Sequence, residues 1–263
     1  MIRLACAADI HCGRHGLQWQ HDAFDRVGEA ADLLLLAGDL TDMGTVAEAE
    51  VLAETLSRVP IPVFAVLGNH DYEADSVADV VQILGQAGVT VLEGAGSVVS
   101  VRQTRIGIVG IKGFGGGFKD ACGTAFGEPE MKAFMATTHG VAAQIDRWIR
   151  SVRAAGATHV VAMTHYSPCR DTLLGEKPEI FPFLGSYLLA EPMDRHGIDL
   201  AIHGHAHAGQ EFGQTDGGVP VRNVAQAVLR RPYAVYTVGR GREQAMEASR
   251  PLTPTFAGKH AQH

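Results

Sequence analysis

The chain has 263 residues, 46% hydrophobic and 19% charged, which is enough apolar material for one α/β domain with a sizeable core. Its formal net charge of −7 disfavours non-specific association with extended nucleic acid or anionic membranes. A small anionic substrate would therefore need metal ions or local cations, and no apolar run reaches the roughly 18 residues of a membrane span.

In chain order, Ile2 to Ala8 reads as a core strand, since it lacks the basic leader and cleavage site of a signal peptide. Ala23 to Ala31 is helical. Leu33 to Ala37 is a fully apolar strand that stops at Gly38-Asp39. Ala47 to Leu56 is helical and Val63 to Leu67 is a strand that stops at Gly68-Asn69. Val77 to Leu84 is helical. Val98 to Val101 and Ile106 to Ile111 form an antiparallel hairpin, and the glycine-rich Gly113 to Gly127 is a loop. Val141 to Arg153 is a helix, and His159 to Met163 a strand ending at Thr164-His165. Leu173 to Phe183 is irregular, Ser186 caps a helix over Leu188 to His196, and Asp199 to Ile202 is a strand before Gly204. Val219 to Val224 and Tyr233 to Val238 are late strands. Apolar strands alternating with helices imply mostly parallel sheets covered on both faces. The expected fold class is α/β, a two-sheet β-sandwich flanked by helices. Residues 1–240 are expected to form one domain and 241–263 a polar C-terminal tail.

Four scattered cysteines (Cys6, Cys12, Cys122, Cys169) form no C-x-x-C pair and suggest free thiols in a cytoplasmic protein. Histidine stands out at 13 residues. Five strand ends carry metal-competent groups: Asp9 and His11, Asp39, Asn69 and His70, His165, and finally His205 and His207. Ligands bind beyond the carboxyl ends of strands in open α/β sheets. The mixture of imidazole, carboxylate and amide is too large for one tetrahedral ion and suits two of borderline hardness. The spacings Asp9-x-His11 and His205-x-His207 suggest pairs on one side of an extended backbone. Gly38, Gly68 and Gly204 allow tight turns at these points.

The order Asp9-x-His11, Gly38-Asp39, Gly68-Asn69-His70-Asp71, His165 and Gly204-His205-x-His207 resembles the calcineurin-like metallophosphoesterase superfamily, in particular its compact bacterial phosphodiesterase-type members. The resemblance implies a double β-sandwich flanked by helices. It implies that Asp9, His11 and His207 hold one metal, that Asn69, His165 and His205 hold the other, and that Asp39 bridges. His70 then stabilises or protonates the leaving oxygen, with Asp71 expected to orient it and Asp42 to support the ligands. The cofactors implied are two divalent ions (Mn, Fe or Zn).

The expected activity is metal-dependent hydrolysis of a small, nucleotide-like phosphodiester by a metal-bridging hydroxide. A phosphomonoesterase or pyrophosphohydrolase on the same site is the alternative. A non-catalytic interaction scaffold is disfavoured because every ligand position and His70 are present. Lys119, Arg14 and Arg170 are candidate phosphate contacts, and Tyr166 and Phe118 candidate stacking surfaces. His15 and His21 are candidate pocket-lining residues. The Gly115-Gly116-Gly117 run lacks the ending of a phosphate-binding P-loop and reads as a pocket-side loop.

Overall fold

The computed structural model describes residues 1–13 and 23–239. The region of Arg14, His15 and His21, and the tail expected from 241 onward, lie outside the described residues.

Two mixed sheets pack face to face. The first contains β1 (Ile2–Ala7), β2 (Leu33–Ala37), β3 (Val63–Val66), β4 (Val89–Val91) and β13 (Ala234–Val238), in the order β13-β1-β2-β3-β4. Strands β1 to β4 run parallel, and β13 closes the edge antiparallel to β1. The second contains β5 (Ala95–Val101), β6 (Thr104–Gly110), β9 (His159–Met163), β10 (Leu200–His203), β11 (Phe212–Gln214) and β12 (Pro220–Asn223). Its order is β11-β12-β10-β9-β6-β5, with a parallel centre and antiparallel edges.

The unbroken apolar run of β2 follows from burial on both faces. Leu33 and Leu35 point into the core between the sheets, against Ile106, Ile108, Val161 and Met163. Leu34 and Leu36 point outward and are covered by α2 (Val46–Leu56) and α3 (Val77–Gln86), through Leu52, Leu56, Val80 and Leu84; a short α1 (Val27–Ala30) precedes β2. The second sheet is covered likewise by a long α4 (Pro129–Ala154) and, after the single turn α5 (Phe181–Leu184), by α6 (Tyr187–His196). Ser186 caps α6 as expected, accepting a hydrogen bond from Leu188 N at 3.3 Å.

Helix α4 begins at Pro129, twelve residues before the expected start. Proline is pre-organised for the first helical position. Buried Met135 and Thr138 extend the stripe of Val141, Ile145, Ile149 and Val152 along the same face. The glycine-rich segment is a loop that carries a small hairpin of β7 (Gly117–Phe118) and β8 (Ala121–Cys122). No helix among the described residues is long and apolar enough to cross a membrane.

Candidate metal centre

The parallel strands of both sheets end on a common edge, and backbone pairing continues past them. Asp9 N donates to Gly38 O (2.9 Å), His11 N to Asp39 O (3.1 Å), Gly204 N to His165 O (3.2 Å) and Ala8 N to Val224 O (2.8 Å), which ties the two sheets together where the polar side chains begin. Asp9, His11, Asp39 and His205 have left-handed backbones, with φ of 56°, 46°, 49° and 69°. Non-glycine residues seldom adopt this conformation, and holding one there costs on the order of 1 kcal/mol or more. The expectation of pairs on an extended backbone is thereby corrected: His205 and His207 sit in a turn and reach different clusters.

Those clusters are Asp9, His11 and His207, and Asp39, His165 and His205, each with its potential ligand atoms within 4.8 Å of one another. In the first, His207 Nε2 is 2.7 Å from Asp9 Oδ1. In the second, His165 Nε2 is 3.3 Å from Asp39 Oδ2 and 3.0 Å from Asn69 Oδ1. Asp39 Oδ2 also lies 3.9 Å from His11 Nε2, so one carboxylate oxygen stands between the clusters. Gly68 and Gly204 are needed for close approach: a Cβ at Gly68 would land on Asp39 Oδ1, and one at Gly204 on Asp9 Oδ2.

Backbone carbonyls fix the imidazoles. His165 Nδ1 donates to Ala37 O (3.0 Å), which leaves Nε2 facing Asp39 and Asn69. His205 Nε2 donates to Phe183 O (3.2 Å), which leaves Nδ1 as the nitrogen that could ligate. Such bonds set tautomer and ring orientation in metal sites. Burial pushes the His205 imidazole down to about 4, with the neighbouring His165 acting in the same direction, so it is neutral at pH 7. For Asp39 burial would raise the carboxyl pKa, but the His165 charge and hydrogen bond and the His70 N–H outweigh it and hold Asp39 well below the usual carboxylate range. His165 keeps a proton above its ordinary value because Asp39 overcomes the opposing burial.

These features fit divalent metal. A cation is stabilised at a fully buried imidazole, and both ring nitrogens of His11 are buried without a hydrogen-bond partner. Metal binding releases such protons and satisfies such atoms.

His70 lies on a single helical turn, His70–Tyr72, with its ring 4.7 Å from that of His11. Its backbone N donates to Asp39 Oδ1 (2.9 Å) and its Nδ1 to Asp42 O (2.8 Å). The expectation that Asp71 orients His70 is corrected. The Asp71 carboxylate is fully buried and turned away from the ring, accepting from Thr41 N (2.8 Å), Thr41 Oγ1 (2.6 Å), Gly68 N (2.8 Å) and Leu40 N (3.2 Å). It ties the loop of Asp39 to that of Asn69. Asp42 does approach the ligands, with Oδ1 3.5 Å from His11 Nδ1.

Other expected contacts fall elsewhere. Lys119 pairs with Asp216, and Arg170 stands over the Phe181 ring at 5.8 Å. Both line a separate cleft of about 240 Å³ beside α6, which contains none of the clustered ligands. Phe118 is buried against Phe181, Leu173 and Leu184 and does not face the metal cluster. Tyr166 does, with its ring centroid 4.5 Å from that of His205. The glycine run spends its donors on packing, Gly116 N on Pro182 O and Gly117 N on Gly185 O. Sequence reasoning missed Lys112, whose carbonyl accepts from both His165 N and Tyr166 N.

The family model of the calcineurin-like phosphoesterases matches residues 2–209. The chain belongs to this family. It is accordingly a metal-dependent phosphoesterase, and the His/Asp clusters are groups that could hold divalent metal. Solved structures resemble it over nearly the whole chain. The phosphopantetheinyl hydrolase of Mycobacterium tuberculosis superposes with a TM-score of 0.60 at 17% identity, over 90% of this chain and 98% of that one. Protein TT1561 of Thermus thermophilus gives 0.54 at 13% identity, over 89% and 93%. At these identities the likeness is one of fold. No curated protein matches the sequence.

Proposed function

We propose that this calcineurin-like phosphoesterase is a dinuclear enzyme that hydrolyses small, nucleotide-like phosphodiesters. The observation that carries the reading is the position of Asp39 Oδ2, 3.3 Å from His165 Nε2 and 3.9 Å from His11 Nε2, between two three-residue clusters. In this reading Asp9, His11 and His207 hold one ion, Asn69, His165 and His205 the other, and Asp39 spans both. Two bound ions, drawn from Mn, Fe and Zn, would supply Lewis-acid charge and lower the pKa of a nucleophilic water.

The chain's own groups do the rest. The carbonyls of Ala37 and Phe183 hold His165 and His205 with their ligand nitrogens turned inward. The Asp42 carbonyl holds His70 by Nδ1, so Nε2 is the nitrogen that serves a leaving oxygen. Diester preference is supported by charge: Lys119 is engaged with Asp216 and Arg170 lies over Phe181, so neither adds positive charge for a monoester dianion, and Lys112, a cation near the clusters, is held among the rings of Tyr72, Phe114 and Tyr166.

The test is hydrolysis of bis(4-nitrophenyl) phosphate and 4-nitrophenyl phosphate by protein loaded with Mn, Fe or Zn. Faster diester turnover is expected. Rapid monoester turnover with an inert diester would overturn the substrate preference and leave the family assignment intact.

A further inference from the structure

Lys112 follows β6, and its backbone is fixed by the metal cluster: its carbonyl accepts from His165 N at 2.8 Å and Tyr166 N at 3.1 Å. Its side chain runs among three rings. Nζ is 4.4 Å from the ring centroid of Tyr72, 5.8 Å from that of Phe114 and 5.9 Å from that of Tyr166. Two of these rings belong to the site: Tyr72 ends the turn that carries His70, and Tyr166 packs on His205.

The ammonium has three donors to offer. Among the described residues it makes no hydrogen bond and no close ion pair. The nearest candidate, Glu93, is already engaged, with Oε1 accepting from Leu67 N (2.9 Å) and Oε2 from Tyr72 OH (2.7 Å). Aromatic faces hold a cation in place but accept no conventional hydrogen bond. Burial lowers the Lys112 pKa, while Glu93 and then Asp39 favour the charged form, so the bridging carboxylate is within electrostatic reach. A positioned ammonium with unspent donors, beside a phosphoryl site, is suited to an anionic oxygen, and the ring walls strengthen the interaction by excluding water.

We propose that Lys112 is a specificity-determining residue that donates to a second anionic group of the substrate, one phosphate beyond the phosphoryl group seated at the metal clusters. The substrate class is then a phosphodiester whose leaving portion carries a further phosphate. This deepens the dinuclear phosphodiesterase reading and rests on it for the placement of the scissile group.

The test uses the full-length, metal-loaded protein and two inhibitors of bis(4-nitrophenyl) phosphate hydrolysis, AMP and ADP. Wild type is expected to bind ADP more tightly than AMP. Lys112→Gln should weaken ADP roughly tenfold to a hundredfold, the range for a hydrogen bond to a charged group. It should weaken AMP by less than about threefold, and Lys112→Arg should restore most of the difference. Metal content is measured for each variant, and calorimetric titration of ADP gives the same comparison without turnover. If Lys112→Gln lowers the melting temperature, Lys112→Met, which keeps the stem against the rings, is read in its place. An unchanged ADP-to-AMP ratio overturns the proposal, and so does an equal weakening of both, which would put Lys112 on the scissile phosphate itself. Inert bis-aryl phosphate with normal ADP titration would instead count against the diesterase reading.

Discussion

Asp71 and Thr41, thirty residues apart, are joined by two hydrogen bonds to a single carboxylate oxygen, from Thr41 N at 2.8 Å and Thr41 Oγ1 at 2.6 Å. The other oxygen takes Gly68 N and Leu40 N. An asparagine can accept with only one of its two polar atoms, so Asp71→Asn turns an amide NH₂ toward one pair of donors. Expected losses are about 3 kcal/mol of stability and weaker metal binding, because the loops of Asp39 and Asn69 are released together. Denaturant unfolding checks this; wild-type stability with reduced turnover would restore Asp71 to a catalytic role.

His70→Ala should behave oppositely. The ring hangs from the Asp42 carbonyl and carries no strand or helix, so stability and metal content should stay near wild type. Turnover should fall roughly 10²–10⁴-fold, and less for substrates with good leaving groups that need little protonation. Loss of metal from this variant would make His70 a ligand.

The glycines at the ligand loops give a sharper structural test. Gly68→Ala places a methyl on the Asp39 carboxylate, and Gly204→Ala places one on that of Asp9. Each should lower the occupancy of the cluster it touches. Gly88→Ala, at a left-handed position open to solvent, should leave metal binding unchanged and cost only local stability. Elemental analysis of the three variants after dialysis separates the cases.

Acid sensitivity should come partly from His203. It is fully buried between the Gly204 carbonyl (2.7 Å) and the Thr172 hydroxyl (2.8 Å), and burial pushes its pKa down to about 4. The fold therefore favours the neutral ring. Its contribution is fully present above the unfolded pKa of 6.5 and is lost as pH falls through about 4. The shift corresponds to about 3 kcal/mol. Urea midpoints of metal-free protein should fall across this window, with a shallower slope for His203→Gln. Parallel slopes for the two proteins would remove His203 from the acid transition.

Much of this was legible in the sequence, for identifiable reasons. Strands such as Leu33–Ala37 are buried on both faces, so a pure apolar run marks them without competing signals. The clustered His, Asp and Asn side chains were visible because they stand at five strand ends, where they have no packing purpose. Short edge strands were not visible: Val89–Val91 has three residues, and Phe212–Gln214 is largely exposed and has no period to read. Nor were the left-handed backbones of Asp9, His11, Asp39 and His205, since turns fixed by tertiary pairing leave no mark on residue type. Asp71 was misread because adjacency to His70 suggests contact, whereas the single helical turn sends the two side chains in different directions. Lys112 escaped because its place depends on β6 lying beside β9.

The most direct measurement is the stoichiometry of divalent metal in the chain and in its Asp39→Asn variant, by elemental analysis and titration of metal-stripped protein. The expected result is two ions per chain in wild type, with weakened binding of both in Asp39→Asn, because a carboxamide bridges poorly. Saturation of the wild-type chain at a single ion, or an Asp39→Asn variant that binds two ions as tightly as wild type, would contradict a bridged dinuclear centre.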